Sequence, residues 1–370
     1  MLSLAESHIM NLESYIPGRS IKKNNNKYKV NQIIKLASNE NSIGPSPKAI
    51  KAASEEIFKC HIYPIYNRFC LKEKICKKYL KYGIKSNNIV LGNGTNEIIT
   101  LLVRTFIGYK EILLNAWPSF IVYRLAAKAF GRREISVPLT FNLDYDLSRM
   151  SELSKNENVK MIFIANPNNP TGKYIAIREL ISFAQNLPKH IILVIDEAYF
   201  DYVDKNDYDT AIPLILSRPR TVILRTFSKI FGLAGLRIGY AICDQKIAEI
   251  IHRIRDPFNV NGIAQVAALA ALDDVEHVKN SKLLNNSELL YVTAGMKKIG
   301  FHVTESVGNF VLMHLENYME NIDNIIEKLI EKGIIIRPLK NYNLTRAARV
   351  TIGTRNENKI LLEALEEIIH

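Results

Sequence analysis

Between residues 88 and 243, short apolar, β-rich runs alternate with segments whose apolar residues recur at helical spacing. The runs are Ile89–Leu91, Ile112–Leu114, Met161–Ala165, Ile191–Ile195, Val222–Leu224 and Ile238–Ile242. Helical patterns such as Glu97–Ile107, Phe120–Phe130 and Ile177–Asn186 lie between most of them. Continuously apolar strands separated by helices predict a mostly parallel sheet covered on both faces. Upstream, Pro47–Phe58 and Phe69–Tyr82 read as amphipathic helices, the first with proline near its start and the second closed by Gly83. Residues 1–45 are polar and end in Gly44-Pro45, so they read as an extended arm with little core of its own. Beyond about residue 260 come helices at Ala264–Leu272 and Val275–Ile299. Strands are predicted at Phe301–Val303, Asn309–Leu315, Ile334–Ile336 and Arg349–Ile352, with helices at Ile322–Glu331 and Asn356–Ile369. The expected class is α/β: an arm (1–45), a large domain (46–262) whose sheet is sandwiched by helices, and a smaller α+β domain (263–370).

A chain of 370 residues exceeds what one hydrophobic core usually serves, in keeping with two domains. Its 47% hydrophobic and 23% charged residues are ordinary globular usage, not that of a disordered chain or a coiled-coil rod. No stretch approaches the roughly 18 apolar residues of a membrane span. The first ten residues, MLSLAESHIM, lack the basic and apolar regions of a signal peptide. Cys60, Cys70, Cys76 and Cys243 show neither paired nor metal-ligand spacing and read as reduced, mostly buried thiols of a cytoplasmic protein, with no metal expected. The net charge of +12 could serve nucleic acid, but the lysines are scattered and no finger, RRM or basic-zipper pattern occurs. No nucleic-acid partner is expected; attraction of a phosphorylated small molecule uses the same charge.

Four segments, each just after a predicted strand, carry the candidate chemistry. In Gly92-Asn93-Gly94-Thr95-Asn96-Glu97 a glycine turn enters a helix, where backbone N–H groups can hold a phosphate. Glu97 stands where a dinucleotide fingerprint needs glycine, and a plain tight turn accounts for this segment alone. Ala165–Gly172, ANPNNPTG, fixes amide side chains at a strand end, or is simply an Asx-Pro turn. Ile191–Ile195 delivers Asp196 to the sheet edge, with Tyr199 three residues on. A buried carboxylate needs a partner, and a cationic ring nitrogen is one. A Mg-binding or capping aspartate is the alternative, although no GxxxxGK[ST] accompanies it. Thr221–Lys229 ends in Thr226, Ser228 and Lys229 and runs into Gly232, Gly235 and Arg237. Most lysines are solvated surface charges, but one desolvated behind a buried strand becomes a nucleophile for carbonyls. Arg237 offers a planar fork to a phosphate. Together these residues outline a site for pyridoxal phosphate: Gly94, Thr95, Asn96 and Arg237 for the phosphate, Asp196 for the pyridinium, Asn169 and Tyr199 for the ring hydroxyl, and Lys229 for the aldehyde.

The chain resembles the fold-type-I pyridoxal-phosphate aminotransferases and, within them, the histidinol-phosphate aminotransferase group, over nearly its whole length. The resemblance rests on SYIPG (14–18), KLASNENSIGPSP (35–47), YP (63–64), ANPNNPTG (165–172), VIDEAYFDY (194–202), RTFSKIFGLAGLRIGY (225–240), PFNVN (257–261), GNF (308–310), GIIIRPL (333–339) and RVTIGTRNEN (349–358). It implies that Lys229 bonds the cofactor aldehyde and shuttles the proton, that Asp196 keeps the ring nitrogen protonated, and that Asn169 and Tyr199 bond the ring oxygen. Thr95, Asn96, Thr226, Ser228 and Arg237 would take the cofactor phosphate, Phe120 would stack on the ring, and Tyr63 would reach over from a second subunit. Arg349 would clamp the substrate anion, Arg337 and Tyr15 would hold the substrate phosphate, and Asn41 would line the pocket. The implied activity is transamination of L-histidinol phosphate with 2-oxoglutarate, in histidine biosynthesis, by a homodimer with shared active sites. The arm departs from the group in reading NENS, with Ser42 where proline is usual. An aromatic amino-acid aminotransferase or a threonine-phosphate decarboxylase would share the same cofactor residues.

Overall fold

A computed structural model describes residues 4–12, 33–65, 70–315 and 321–370. The large sheet has seven strands: β2 (Ile89–Gly92), β3 (Ile112–Trp117), β4 (Arg133–Pro138), β5 (Val159–Ala165), β6 (Ile192–Asp196), β7 (Thr221–Thr226) and β8 (Gly239–Cys243). Their order across the sheet is β2-β8-β7-β6-β5-β3-β4. All neighbours are parallel except β8, which runs antiparallel to both β2 and β7.

The continuous apolar runs follow from burial of both faces. Successive side chains point to opposite sides of a strand. Thus Leu193, Ile195, Ile162 and Ile164 pack into one layer, while Val194, Met161, Phe163, Val222 and Leu224 pack into the other. Helix Thr95–Phe106 supplies Ile98, Ile99, Leu102 and Val103 to the second layer. A strand with polar residues on one face would be stranded here, because both faces are dry.

The smaller sheet has five strands in the order β1-β11-β12-β10-β9, comprising β1 (Ile34–Leu36), β9 (His302–Thr304), β10 (Phe310–His314), β11 (Ile334–Pro338) and β12 (Ala347–Thr351). Its first strand comes from the arm and pairs in parallel with β11, Ile34 opposite Ile334 and Leu36 opposite Ile336. Ile34 and Leu36 are buried in the small-domain core, so the arm has a share of core that its polar composition hides. The boundary expected at residue 262 also falls elsewhere. Ala264, Ala267, Ala268 and Ala271 of helix Gly262–Leu272 pack into the large-domain core. The following helix, Val275–Ile299, begins against that core through Val278 and ends in the small core through Val292, Met296 and Ile299. The division therefore runs along this helix. The four cysteines are free thiols, but only Cys243 is buried, while Cys60 and Cys70 are exposed. Among the described residues no helix is long and apolar enough to cross a membrane.

Candidate active site

Open parallel sheets place ligand sites beyond the carboxyl ends of their strands. A cavity of about 340 Å³ lies there, within the size range of small-molecule pockets. The segments after β2, β3, β5, β6 and β7 line it, together with the arm and the small domain.

Asp196 is the last residue of β6 and is 4% exposed. Tyr123 donates to its Oδ2 at 2.9 Å and the Ala198 N–H to its Oδ1 at 3.1 Å. Burial still dominates and raises the carboxyl to about 6. Across the cavity, Lys229 follows β7 and donates to the carbonyl of Ser38 at 3.0 Å. Burial, with Arg349 and Arg237 nearby, lowers its ammonium to about 7. The amine is therefore near half neutral at physiological pH, as a nucleophile must be. The neighbouring Glu197 faces away. It is held by Arg225 at 2.6 Å, the Thr210 hydroxyl at 2.9 Å and the Ala211 N–H at 2.7 Å, a buried pair that fixes the β6 and β7 ends together.

At one end of the cavity Thr95 and Asn96 open helix Thr95–Phe106, whose unpaired N–H groups favour an anion. Thr226, Ser228 and Arg237 face the same end. Arg237 holds the left-handed backbone conformation (φ 55°) and donates to Ser228 Oγ at 3.3 Å and to the Ala234 carbonyl at 3.1 Å. Gly94 has φ 75°, and a Cβ there would come within 2.5 Å of the Arg237 guanidinium. The backbone conformation is what calls for glycine, and the absent Cβ leaves the guanidinium its place.

The ANPNNPTG run divides its labour. Asn166 bonds the backbone N–H and C=O of Ile175, and Asn168 bonds the Pro118 carbonyl, Thr171 and Tyr145, so both build the turn. Asn169 faces the cavity, and its side-chain Oδ1 accepts from Arg349. Phe120 and Tyr199 line the cavity too. The Tyr199 hydroxyl accepts from Asn39 Nδ2 at 2.9 Å, and burial raises it to about 12. On the small-domain side, Arg349 donates to the Ala37 carbonyl at 2.9 Å, and Arg337 stands directly opposite it on the antiparallel pair β11–β12. Like charges opposed across a sheet repel, and an anion between them relieves the repulsion.

One expected residue lies elsewhere. Asn41 is off the wall of this cavity: its amide donates to the Ile230 carbonyl at 2.8 Å and to Ser281 Oγ at 2.9 Å. The arm presents Ala37, Ser38, Asn39 and Glu40 instead. Asn39 has φ 55° and is tied to Thr351 through both its backbone N–H and its side-chain oxygen, which fixes how the arm crosses the cavity. Tyr63 is 73% exposed and stacks on Phe258 at 4.6 Å, away from this chain's own cavity. Tyr15 lies outside the described residues. Asn39 and Tyr123 touch site residues without having been singled out in the sequence.

The profile of the family described as "Aminotransferase class I and II" matches residues 31–365. The chain belongs to that family. It is 39% identical to the histidinol-phosphate aminotransferase of Anaeromyxobacter sp. (strain Fw109-5), over the full length of both. The crystal structure of the Sinorhizobium meliloti histidinol-phosphate aminotransferase in complex with pyridoxal-5'-phosphate superposes with a TM-score of 0.88 at 25% identity, covering 100% of this chain and 98% of that one. The Clostridium acetobutylicum histidinol-phosphate aminotransferase gives a TM-score of 0.82 at 30% identity, covering 91% and 99%. The expected fold and transaminase class are those of these relatives.

Proposed function

We propose that this chain binds pyridoxal phosphate and transfers the amino group of L-histidinol phosphate to 2-oxoglutarate, giving imidazole-acetol phosphate and glutamate in the cytoplasm. The observation that carries the reading is the pairing of a near-neutral buried amine, Lys229, with a buried carboxylate, Asp196, on one cavity that ends in anion donors. The residues fit the group: Thr95, Asn96, Thr226, Ser228 and Arg237 for its phosphate, Gly94 for the close approach, Phe120 for its face, and Asn169 and Tyr199 for its ring oxygen.

When bound, that cofactor supplies an electron sink for the electrons of the substrate's α-carbon. Asp196 holds a proton at the ring nitrogen, because a carboxylate buried this deeply is stabilised by a cation. Lys229 in its neutral form would take the proton from the substrate's α-carbon and return it two atoms along, on the far side of the amino nitrogen. Arg349 and Arg337 bind the anionic end of the donor and then the carboxylates of the acceptor, since a guanidinium fork suits both phosphate and carboxylate. The arm residues Ala37–Glu40 and the small-domain residues Arg337, Tyr342 and Arg349 also line the cavity. We read the active assembly as a homodimer in which Tyr63 of each subunit completes the other's phosphate site. An exposed aromatic pair, Tyr63 on Phe258, supports this.

The test is amino transfer to 2-oxoglutarate from histidinol phosphate, phenylalanine and phosphothreonine, compared side by side. Histidinol phosphate is expected to give the highest kcat/KM. A preference for phenylalanine, or release of carbon dioxide from phosphothreonine, would overturn the assignment.

A further inference from the structure

Tyr123 lies on helix Val122–Ala129, with no solvent exposure. Its ring stacks on Phe163 at 4.4 Å and 17° and meets Phe120 edge-on at 5.5 Å. For packing alone a phenylalanine would serve, and a buried hydroxyl without a partner is costly. Its partner is the Asp196 Oδ2, at 2.9 Å. We propose that Tyr123 is a positioning residue for the reaction proposed above, its hydroxyl holding the Asp196 carboxylate ionised and in one orientation toward the cavity.

The inference rests on the cofactor reading for its purpose, and on the hydrogen bond for its physics. Two donors serve Asp196, the Tyr123 hydroxyl and the Ala198 N–H, one on each oxygen. Both favour the ionised form, against burial and against the like charge of Glu197; Lys229 favours it from across the cavity. The phenols of Tyr145, Tyr199 and Tyr208 also feel the Asp196 charge, and none of the three is hydrogen-bonded to it. Burial and Asp196 together drive the Tyr123 phenol far above its ordinary value, so it remains a donor at every working pH. It is thus the only side-chain hydroxyl among the described residues that bonds this carboxylate. Its covalent rigidity matters as well: the ring is pinned between Phe163 and Phe120, so the hydroxyl has little freedom to leave.

The experiment uses the full chain, cofactor-free, with its aspartate carboxyls labelled with carbon-13 and the Asp196 resonance identified by its loss in Asp196→Asn. The wild-type carboxyl is expected to titrate at about 6. In Tyr123→Phe, which keeps the ring, the midpoint is expected to rise by about one unit. In a chain carrying 3-fluorotyrosine at 123, a stronger donor of nearly the same shape, it is expected to fall. On the loaded enzyme, the pH at which acid releases pyridoxal phosphate is expected to shift in the same two directions. A midpoint unmoved by either replacement overturns the proposal. If Tyr123→Phe does not fold, the fluorotyrosine chain decides alone. Failure of the wild-type chain to take up the cofactor would instead overturn the functional reading, and the carboxyl titration would still judge the Tyr123–Asp196 bond.

Discussion

At the scale of single residues, two buried groups of opposite sign have moved toward each other: Asp196 up to about 6 and Lys229 down to about 7. Each shift is a statement about stability. An unfolded lysine holds its proton up to roughly pH 10.4, whereas the folded one releases it near 7, so in that window the unfolded chain binds more protons and stability rises with pH. For Asp196 the folded chain binds the extra proton between roughly pH 3.9 and about 6, so stability falls as pH rises through that window. Urea unfolding of the cofactor-free chain should therefore diverge from two variants in opposite senses. Relative to Lys229→Met, the wild type gains from neutral to alkaline pH; relative to Asp196→Asn, it loses from acid to neutral pH. Parallel curves in either comparison would contradict the corresponding shift. Asp196 is legible in the sequence because it ends the unbroken apolar run Ile191–Ile195, and a charge delivered by such a run cannot reach bulk water; Lys229 is legible because it follows the buried Val222–Leu224 strand and the hydroxyls of Thr226 and Ser228 and precedes the Gly232–Gly235 bend. Tyr123 is not legible, since a tyrosine on the apolar face of a helix reads as core until its hydroxyl is seen 2.9 Å from a carboxylate 73 residues away. Asn39 fails for the same reason: its partner, Tyr199, is 160 residues distant. A motif marks the neighbourhood and not which way each amide faces, so the arm motif points to Asn41 although Asn39 is the asparagine on the cavity.

At the scale of elements, the turn after Lys229 shows how the arm and the lysine loop are fitted together. Gly232 has φ 69°, and its N–H donates to the Lys229 carbonyl at 2.9 Å. A Cβ there would run into the carbonyl of Gly44 at the end of the arm, and backbone cannot yield as a side-chain tip can. Gly232→Ala is expected to cost about 1–3 kcal/mol in urea unfolding and to loosen cofactor retention. Gly235→Ala, three residues on, meets nothing within 4 Å and is expected to stay within about 0.5 kcal/mol of wild type. Equal effects at the two positions would show that the Gly44 contact does not matter. Continuous runs such as Met161–Ala165 predict strands because burial on both faces makes them wholly apolar while their shortness and their bounding turn residues, as in Asn166-Pro167, leave no room for a helix. The elements that escaped were short or mixed. β1 has three residues, one of them Lys35, and becomes a strand only because β11 offers an unpaired edge. β4, Arg133–Pro138, is half-exposed at an edge of the large sheet, and its polar residues follow from that position.

At the scale of the whole molecule, both domains and the arm line the cavity, yet one expected contributor, Tyr63, faces outward on the same chain. Phe58, Ile62 and Ile65 are also exposed on this segment, and Phe258 is stacked on Tyr63. An apolar face of this kind is what a twofold interface covers, and a twofold interface presents the same residues from both sides. Sharing of sites makes a demand that mere association does not. A Lys229→Ala homodimer lacks the amine in both sites, and a Tyr63→Ala homodimer lacks the tyrosine in both. In the mixed dimer one site receives Lys229 from one chain and Tyr63 from the other, while the second site receives neither. Mixing equal amounts of the two variants under conditions that exchange subunits should restore about a quarter of wild-type activity, because half the dimers are mixed and each has one intact site. The assay is histidinol phosphate turnover before and after exchange, with the mixed species counted by native mass spectrometry. Mixed dimers that form without restoring turnover would refute shared sites, and a chain that stays monomeric at 42.1 kDa while fully active would refute the dimer as well.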